Sequence, residues 1–577
     1  MRAILLASMA LFAAATAEAQ TIYPLNRAEI LSGSKFDFKV EFPTSPTADQ
    51  VKITVNGQAP AAFFGKPGQF VDKEDGQDYS AFVIRDVSIK AAQAIKIEAS
   101  APAGTAMVGW NVYATAAKPV ARNVILFIGD GLSIAHRTAA RMMSKGIAEG
   151  LYDGELAIDD MPHMALVSTS GTDGIVTDSA NAMSAYTTGH KSCVNALGVY
   201  CARNKSTLDH PKVETIGELA RRHGLALGVV TNTEIEDATP AGMIAHTRRR
   251  SDYNDIVKMF WDVKPDVIMG GGSPNWLAKS TPGSRRQDET DYIRMFEQAG
   301  WTFAATNAEM LAAGSDPATT RLLGLFNTGN LDGALDRMIL KKGSVGRFPD
   351  QPDLVDQVKV SLELLQKNPK GFVLMVESGR IDKYSHSLDA ERAIFDTIML
   401  DNAVKAAKDW AAKREDTLII VVGDHAHMVG VIGTYDDARP GTTPRDKLAT
   451  YAESKFPNYP APDANGYPAT VDVSRRIAFA FGTYPDHCFN AKPYLDGEFA
   501  PVVAGKEPGT FVANEKYCEQ PGAVRIEGNL PKSANSGVHS ADDVLLTAIG
   551  PGSEQFRGRI DNVRVFRIMA TALGLGE

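Results

Sequence analysis

The chain has 577 residues, 44% of them hydrophobic and 22% charged, with 50 glycines and a formal net charge of −9. That is the make-up of a globular protein, and it excludes disordered, collagen-like and coiled-coil architectures. Proteins that bind nucleic acid by neutralising its phosphates are usually basic, so no nucleic-acid partner is expected; one local cationic pocket for a small anion is still compatible with the charge.

Residues 1–19 carry one early charge at Arg2, an apolar run from Ala3 to Ala15, and the A-x-A ending Ala17-Glu18-Ala19. This pattern predicts a secretory signal peptide cleaved after Ala19. The run falls short of the roughly 20 apolar residues of a membrane span. No later segment is longer, so the mature chain is expected to be exported, periplasmic or secreted, with no membrane span. An oxidising destination makes the four cysteines, Cys193, Cys201, Cys488 and Cys518, disulfide candidates. Three connectivities are possible, and closeness in sequence favours Cys193–Cys201 and Cys488–Cys518. There is no C-x-x-C pair to suggest thiol redox chemistry or a zinc knuckle.

Residues 20–118 read as a small β-sandwich-like domain. FDFKVEF and VKITV alternate apolar and polar residues, and AIKIEAS and VGWNVYATAA continue the pattern between Pro, Gly and Asp turns. From Val120 the texture changes. NVILFIGDG, LALGVVTNT, PDVIMGGG, GFVLMVESG, TLIIVVGDH and DVLLTAIGPG each read as a strand buried on both faces. Helical stretches such as VETIGELARRHG, with Gly224 as its C-cap, and ERAIFDTIMLDNAVKAAKDWAAK lie between them. Residues 119–577 are therefore predicted to form an α/β domain with a doubly wound, mostly parallel sheet flanked by helices. A stretch at about 430–535, rich in Pro, Tyr, Gly and Asp, interrupts this pattern as an insertion.

In such sheets ligands bind beyond the carboxyl ends of the strands, and here those ends carry acids. Asp130 follows NVILFIG, Asp237 comes shortly after GVVTNTEIE, Glu377 follows FVLMV, and Asp424-His425 follows LIIVVG. One acid at a strand end is commonly a helix cap. Several converging on one edge repel one another and are stable mainly with cations between them. In ESGRIDKYSH, Asp382 and His386 stand four apart, on one face of a helix, as metal ligands would. Asp with His suits zinc, and an all-oxygen set suits magnesium. In VTDSANAMSAYTTGH, Ser179 follows Asp178 at a helix start, where backbone N–H groups receive an anion. No G-x-S-x-G elbow surrounds it, which favours a metal-activated serine over a triad hydrolase.

The motifs IGDG, TDSANA, DATPAGMIAH, VESGRIDKYSH, VVGDHAH and GVHSADD, in this order between about Asn123 and Leu575, resemble the bacterial-type alkaline phosphatases. The resemblance does not cover residues 21–118 and is loose over 430–535. It implies metal-dependent hydrolysis of small phosphate monoesters at alkaline pH through a covalent phosphoserine on Ser179, releasing alcohol and inorganic phosphate. It also implies two Zn2+ and one Mg2+, and a homodimer as a common assembly. Asp382, His386 and His539 would hold one zinc, and Asp130, Asp424 and His425 the other. Asp130, Thr239 and Glu377 would hold magnesium. The phosphate-clamping arginine falls on Arg250, with Arg248 and Arg249 as rivals if the register slips. Asp237 and Lys383 match the bacterial pattern of an acid–lysine pair near magnesium and phosphate; Lys383 either contacts phosphate through water or is a plain salt-bridge partner. His427, two residues past His425, is not a ligand in the family pattern.

The nearest rival reading is a phosphodiesterase or nucleotide pyrophosphatase of the same superfamily, which typically lacks the third metal site that Thr239 and Glu377 would complete. A sulfatase is disfavoured because the chain lacks a C-x-P-x-R motif. A non-enzymatic binding module, with the N-terminal domain recognising a surface or glycan, is disfavoured by the complete ligand set.

Overall fold

The computed structural model describes residues 20–116, 118–489, 492–520 and 523–577. The signal-peptide assignment lies outside them. A ten-stranded sheet organises residues 119–577. Its strands, numbered in chain order, are β1 (Asn123–Gly129), β2 (His163–Ser168), β3 (Ala226–Glu234), β4 (Val267–Gly271) and β5 (Thr302–Ala304). They continue with β6 (Leu322–Leu325), β7 (Phe372–Ser378), β8 (Thr417–Gly423), β9 (Val544–Ile549) and β10 (Arg559–Asp561). The spatial order is β5-β6-β4-β3-β7-β1-β8-β9-β2-β10. Neighbours from β5 to β8 are parallel, and β9 alone runs against the rest.

The strands are apolar throughout because both faces are covered. In β1, Val124, Leu126 and Ile128 join one hydrophobic layer, and Ile125 and Phe127 join the other. The parallel strands bring their carboxyl ends to one edge, so the residues after β1 and β8 and at the end of β7 meet there. Gly131, just after β1, has φ +65°, and a Cβ on it would lie 2.6 Å from the His427 ring. Only glycine allows the chain to turn this close to the site.

The N-terminal region forms two four-stranded sheets. One contains Thr21–Tyr23, Phe36–Phe42, Ser80–Val87 and Gln69–Val71; the other contains Glu29–Leu31, Gly104–Tyr113, Gln93–Ala101 and Lys52–Val55. Phe38, Val40, Ile97 and Trp110 are buried in their common core. Alternation such as that of FDFKVEF ordinarily sends one face to solvent. Here the polar face is covered by the segment around residues 203–212, and Asp37, Lys39 and Glu41 are 4%, 0% and 2% exposed.

The insertion contains a three-stranded sheet built on Val429–Asp436 and Arg475–Phe481, and smaller two-stranded pieces. Disulfides join Cys193 to Cys201 and Cys488 to Cys518. Among the described residues, no helix is long and apolar enough to cross a membrane. The insertion is tied down by Arg392, on the long helix Ala390–Ala411. Its guanidinium donates to both oxygens of Asp336, to Asp389 and to the Tyr494 carbonyl, each at 2.8 Å. All three charged side chains are buried. Arg392→Met leaves two carboxylates buried without their cation, and the expected loss of stability is about 3–5 kcal/mol. Urea unfolding checks this; a loss below about 1 kcal/mol, the value of an exposed pair, would contradict the buried-network reading.

Candidate active site

Two helices and two strand ends position the predicted residues. Helix α1 (Ser179–Thr188) begins at Ser179, and its cap Asp178 accepts from the Asn181 N–H at 3.1 Å. Helix α2 (Arg380–His386) follows β7 and carries Asp382, Lys383 and His386. The buried Ser179 Oγ lies 3.3 and 3.4 Å from the two Asp130 oxygens and 3.4 Å from His425 Nε2. Asp130, Asp382, Asp424 and His425 are all buried.

Two groups have ligand atoms close enough to share a metal: Asp382 with His386, His427 and His539, and Asp130 with Asp382 and His425. Asp424 stands beside the second group, its Oδ2 3.4 Å from His425 Nε2. Its Oδ1 accepts from the Gly131 and His425 N–H groups at 3.0 and 2.9 Å. Thr239 Oγ1 donates to Asp130 Oδ2 at 3.5 Å. Glu377 is outside both groups, with its Oε2 taken by the hydroxyls of Thr231 and of Thr233, the latter at 3.1 Å.

These donor atoms fit a cation. His386 Nδ1 faces the Gly537 carbonyl and His539 Nδ1 the Thr177 carbonyl, each at 2.8 Å. A carbonyl only accepts, so both Nδ1 atoms carry the proton and the Nε2 lone pairs point inward. Those Nε2 atoms are 3.1 Å apart, each 3.4 Å from Asp382 Oδ1. Facing lone pairs beside a carboxylate need a positive centre. A tetrahedral zinc, with its nitrogens at about 2.0–2.1 Å, separates its ligands by roughly 3.3 Å. His427 Nε2 is spent on Asp382 Oδ1 at 2.6 Å, which leaves His386 and His539 as the imidazoles aimed inward. At the second group, His425 Nδ1 and the adjacent Asp424 Oδ2 are buried without a hydrogen-bond partner.

The acids show the same strain electrostatically. Burial and the charges of Asp130 and Asp382 push Asp424 well above the usual carboxylate range. Burial and Asp130 push Glu377 up to about 8. Burial also opposes ionisation of Asp382, but His386, His427 and His539 hold it well below its ordinary value. Burial and mutual repulsion thus oppose the charged forms of Asp424 and Glu377, while neighbouring imidazoles favour that of Asp382.

Beyond the metal-ligand groups lies a cationic pair. Arg250 donates to Asp178 Oδ2 at 3.2 Å and to Asp237 Oδ1 at 2.8 Å, and Lys383 Nζ is 3.0 Å from Asp237 Oδ2. Burial works against Asp237, yet Lys383 and Arg250 hold its pKa below the carboxylate range. The neighbouring arginines point elsewhere: Arg248 donates to the Val194 carbonyl at 3.0 Å and Arg249 pairs with Asp252 at 2.6 Å.

Motif spacing missed three residues. Thr231 and Thr233 hold Glu377 from the end of β3, where an all-buried T-N-T run on a core strand was the available signal. Glu236, fully buried beside Asp237, accepts from Asn275 and from Trp276 Nε1, the latter at 3.3 Å.

The family model described as "Alkaline phosphatase" matches residues 121–575. Alkaline phosphatase of Escherichia coli (strain K12) is 34% identical over 361 residues, covering 56% of this chain and 74% of that protein. The tissue-nonspecific isozyme of Gallus gallus is 33% identical over 493 residues, covering 79% of this chain and 85% of that one. Among solved structures, the alkaline phosphatase of Thermus thermophilus superposes with a TM-score of 0.55 at 22% identity, over 80% of this chain and 93% of its own. That of the Antarctic bacterium TAB5 gives 0.54 at 20% identity, over 80% and 99%.

Burial, then the Glu234 charge, raises the Glu236 pKa from 4.5 to about 8. A folded pKa above the unfolded one means the native state binds the proton more tightly. Glu236 therefore costs stability progressively as pH climbs from about 4.5 to about 8. Glu236→Gln removes that cost, so its melting temperature relative to wild type should be higher at pH 9 than at pH 6. The difference corresponds to on the order of 1–3 kcal/mol. A pH-independent difference between the two proteins would contradict the assignment.

Proposed function

The chain belongs to the alkaline phosphatase family and is a phosphomonoesterase, and on that premise we propose that it hydrolyses its substrates through a covalent phosphoserine on Ser179. The observation that carries this reading is the place of the Ser179 hydroxyl. It heads a ten-residue helix, 3.3 Å from Asp130 and 3.4 Å from His425, with Arg250 reaching the Asp178 carboxylate next to it.

Arg250 binds two oxygens of the phosphoryl group through its planar fork, a geometry that a lysine ammonium does not offer. It is pre-positioned by Asp178 and Asp237, each of which accepts one hydrogen bond from its guanidinium. The N–H groups at the head of α1 add positive potential toward the same anion. Ser179 Oγ attacks phosphorus as the ester P–O bond breaks, releasing the alcohol. Water then attacks the phosphoserine, the Ser179 O–P bond breaks, and inorganic phosphate leaves. Asp382, His386 and His539 would hold one zinc, Asp130, Asp424 and His425 a second, and Asp130, Thr239 and Glu377 a magnesium. Bound cations at these places lower the pKa of the attacking oxygens and offset charge on the departing one. Lys383 holds Asp237 in place as its ion-pair partner, and His427 fixes the Asp382 carboxylate. The pattern of residues 1–19 and the two disulfides support export to an oxidising compartment.

Ser179→Ala should lower kcat on a chromogenic phosphate monoester by on the order of 10³-fold or more while metal content stays near wild type. Arg250→Ala should weaken inhibition by inorganic phosphate about 10- to 100-fold. Chelation should abolish turnover, and zinc together with magnesium should restore it. Full recovery with zinc alone, or preference for a matched diester, would instead support the diesterase reading and remove the magnesium site from Thr239 and Glu377.

A further inference from the structure

The N-terminal β-domain has a physical connection to the phosphate clamp. Its covered polar face grips the segment 200–214 of the catalytic domain through backbone groups. Tyr23 Oη donates to the Cys201 carbonyl at 3.0 Å, and Tyr79 Oη donates to the Arg203 carbonyl at 2.8 Å. The Arg203 N–H donates to Glu41 Oε1 and the Lys205 N–H to Asp75 Oδ2, both at 2.8 Å. At the centre, Lys39 is fully buried between Glu41 at 2.9 Å and Glu74 at 2.8 Å, and its ammonium also donates to Asn204 Oδ1 at 2.7 Å. A buried charge with three polar partners fixes one geometry, because any shift leaves a partner unsatisfied.

The gripped segment in turn holds the turn that carries Arg250. The Arg248 N–H donates to the Thr207 carbonyl at 2.8 Å. Thr207 Oγ1 donates to Asp252 Oδ2 at 2.6 Å, and the same carboxylate accepts from Thr247 Oγ1 at 2.8 Å. The Arg250 N–H donates to the Asn195 carbonyl at 2.8 Å, and the Asn195 N–H donates to Asp178 Oδ2 at 3.2 Å. Arg250 thus sits at the apex of a turn whose two sides are fastened to segment 193–207, and the Cys193–Cys201 disulfide closes that segment.

We propose that the N-terminal domain is a positioning module for the phosphate clamp, with Thr207 the positioning residue that transmits its grip to Arg250. The proposal rests on the reading of Arg250 as the residue that binds phosphate. Guanidinium–phosphate pairing is bidentate and directional, so a small displacement of the turn costs affinity without touching the metal ligands.

The test uses the metal-loaded full chain and reads the inhibition constant of inorganic phosphate, kcat at saturating monoester, and bound metal. Thr207→Val keeps the shape and removes the hydroxyl; Thr207→Ser restores it. Tyr79→Phe removes one hydrogen bond at the domain contact, far from the reacting atoms, and provides the same test should Thr207→Val fail to fold. Thr207→Val is expected to raise the phosphate inhibition constant roughly 3- to 10-fold and Tyr79→Phe about 2-fold, with kcat and metal content unchanged. Thr207→Ser should match wild type. In an Arg250→Ala background neither variant should change the constant further, since the group being positioned is gone. An unchanged constant in both variants, or a rise that persists without Arg250, would overturn the positioning role. Arg250→Ala that itself leaves the constant unchanged would overturn the clamp reading, and the proposal with it.

Discussion

Crowding of like charge in a buried place is the constraint on which this protein is built. Asp130, Asp382 and Asp424 meet at the carboxyl edge of the sheet, all with 2% or less of their surface exposed. Protein groups alone leave them strained: burial and its neighbours push the pKa of Asp424 well above the usual carboxylate range, two imidazole lone pairs face each other, and two buried polar atoms of the site have no hydrogen-bond partner. The cost is tolerable because the site is completed by cations from outside the chain, and binding that occurs only in the folded state adds to folding stability. The apolar strands, the Gly131 turn and the buried helix α1 all serve to hold repelling groups at fixed separation.

Much of this was legible in the sequence because it is local. An apolar run followed by an acid marks a strand end at a ligand edge, and Asp382 and His386 four apart mark a helical face. Short separations also favoured the disulfide pairs that the structure contains. What the sequence concealed is set by contacts between distant segments. Three successive arginines, Arg248 to Arg250, have the same chemistry, and only the folded turn sends one to Val194, one to Asp252 and one to Asp178 and Asp237. Glu236 reads as a surface acid until Asn275 and Trp276 close over it. The polar residues of FDFKVEF follow a solvent-facing pattern, and their burial depends on a segment some 165 residues away, the separation of Lys39 from Asn204.

The two domains solve opposite problems with similar residues. In the metal-ligand cluster, acids gather without enough protein cations, which makes the place reactive and hungry for metal. Under the N-terminal domain, Lys39 is matched by Glu41, Glu74 and Asn204, which makes the place inert and geometrically exact in its demands. Burial amplifies both effects, since a low dielectric strengthens attraction and repulsion alike.

The reversed strand β9 has a consequence for when the site comes into being. Because β9 runs against its neighbours, its beginning lies at the ligand edge, and His539 arrives there from the start of a strand, pairing with His427. His539 also lies 114 residues after His425 in the chain, beyond the insertion. A nascent chain thus carries Asp382, His386 and His427 long before it carries the imidazole that completes the first group. The first group therefore gains its last imidazole only after the insertion has been made, whereas Asp130, Asp382 and His425 all precede the insertion or stand at its start.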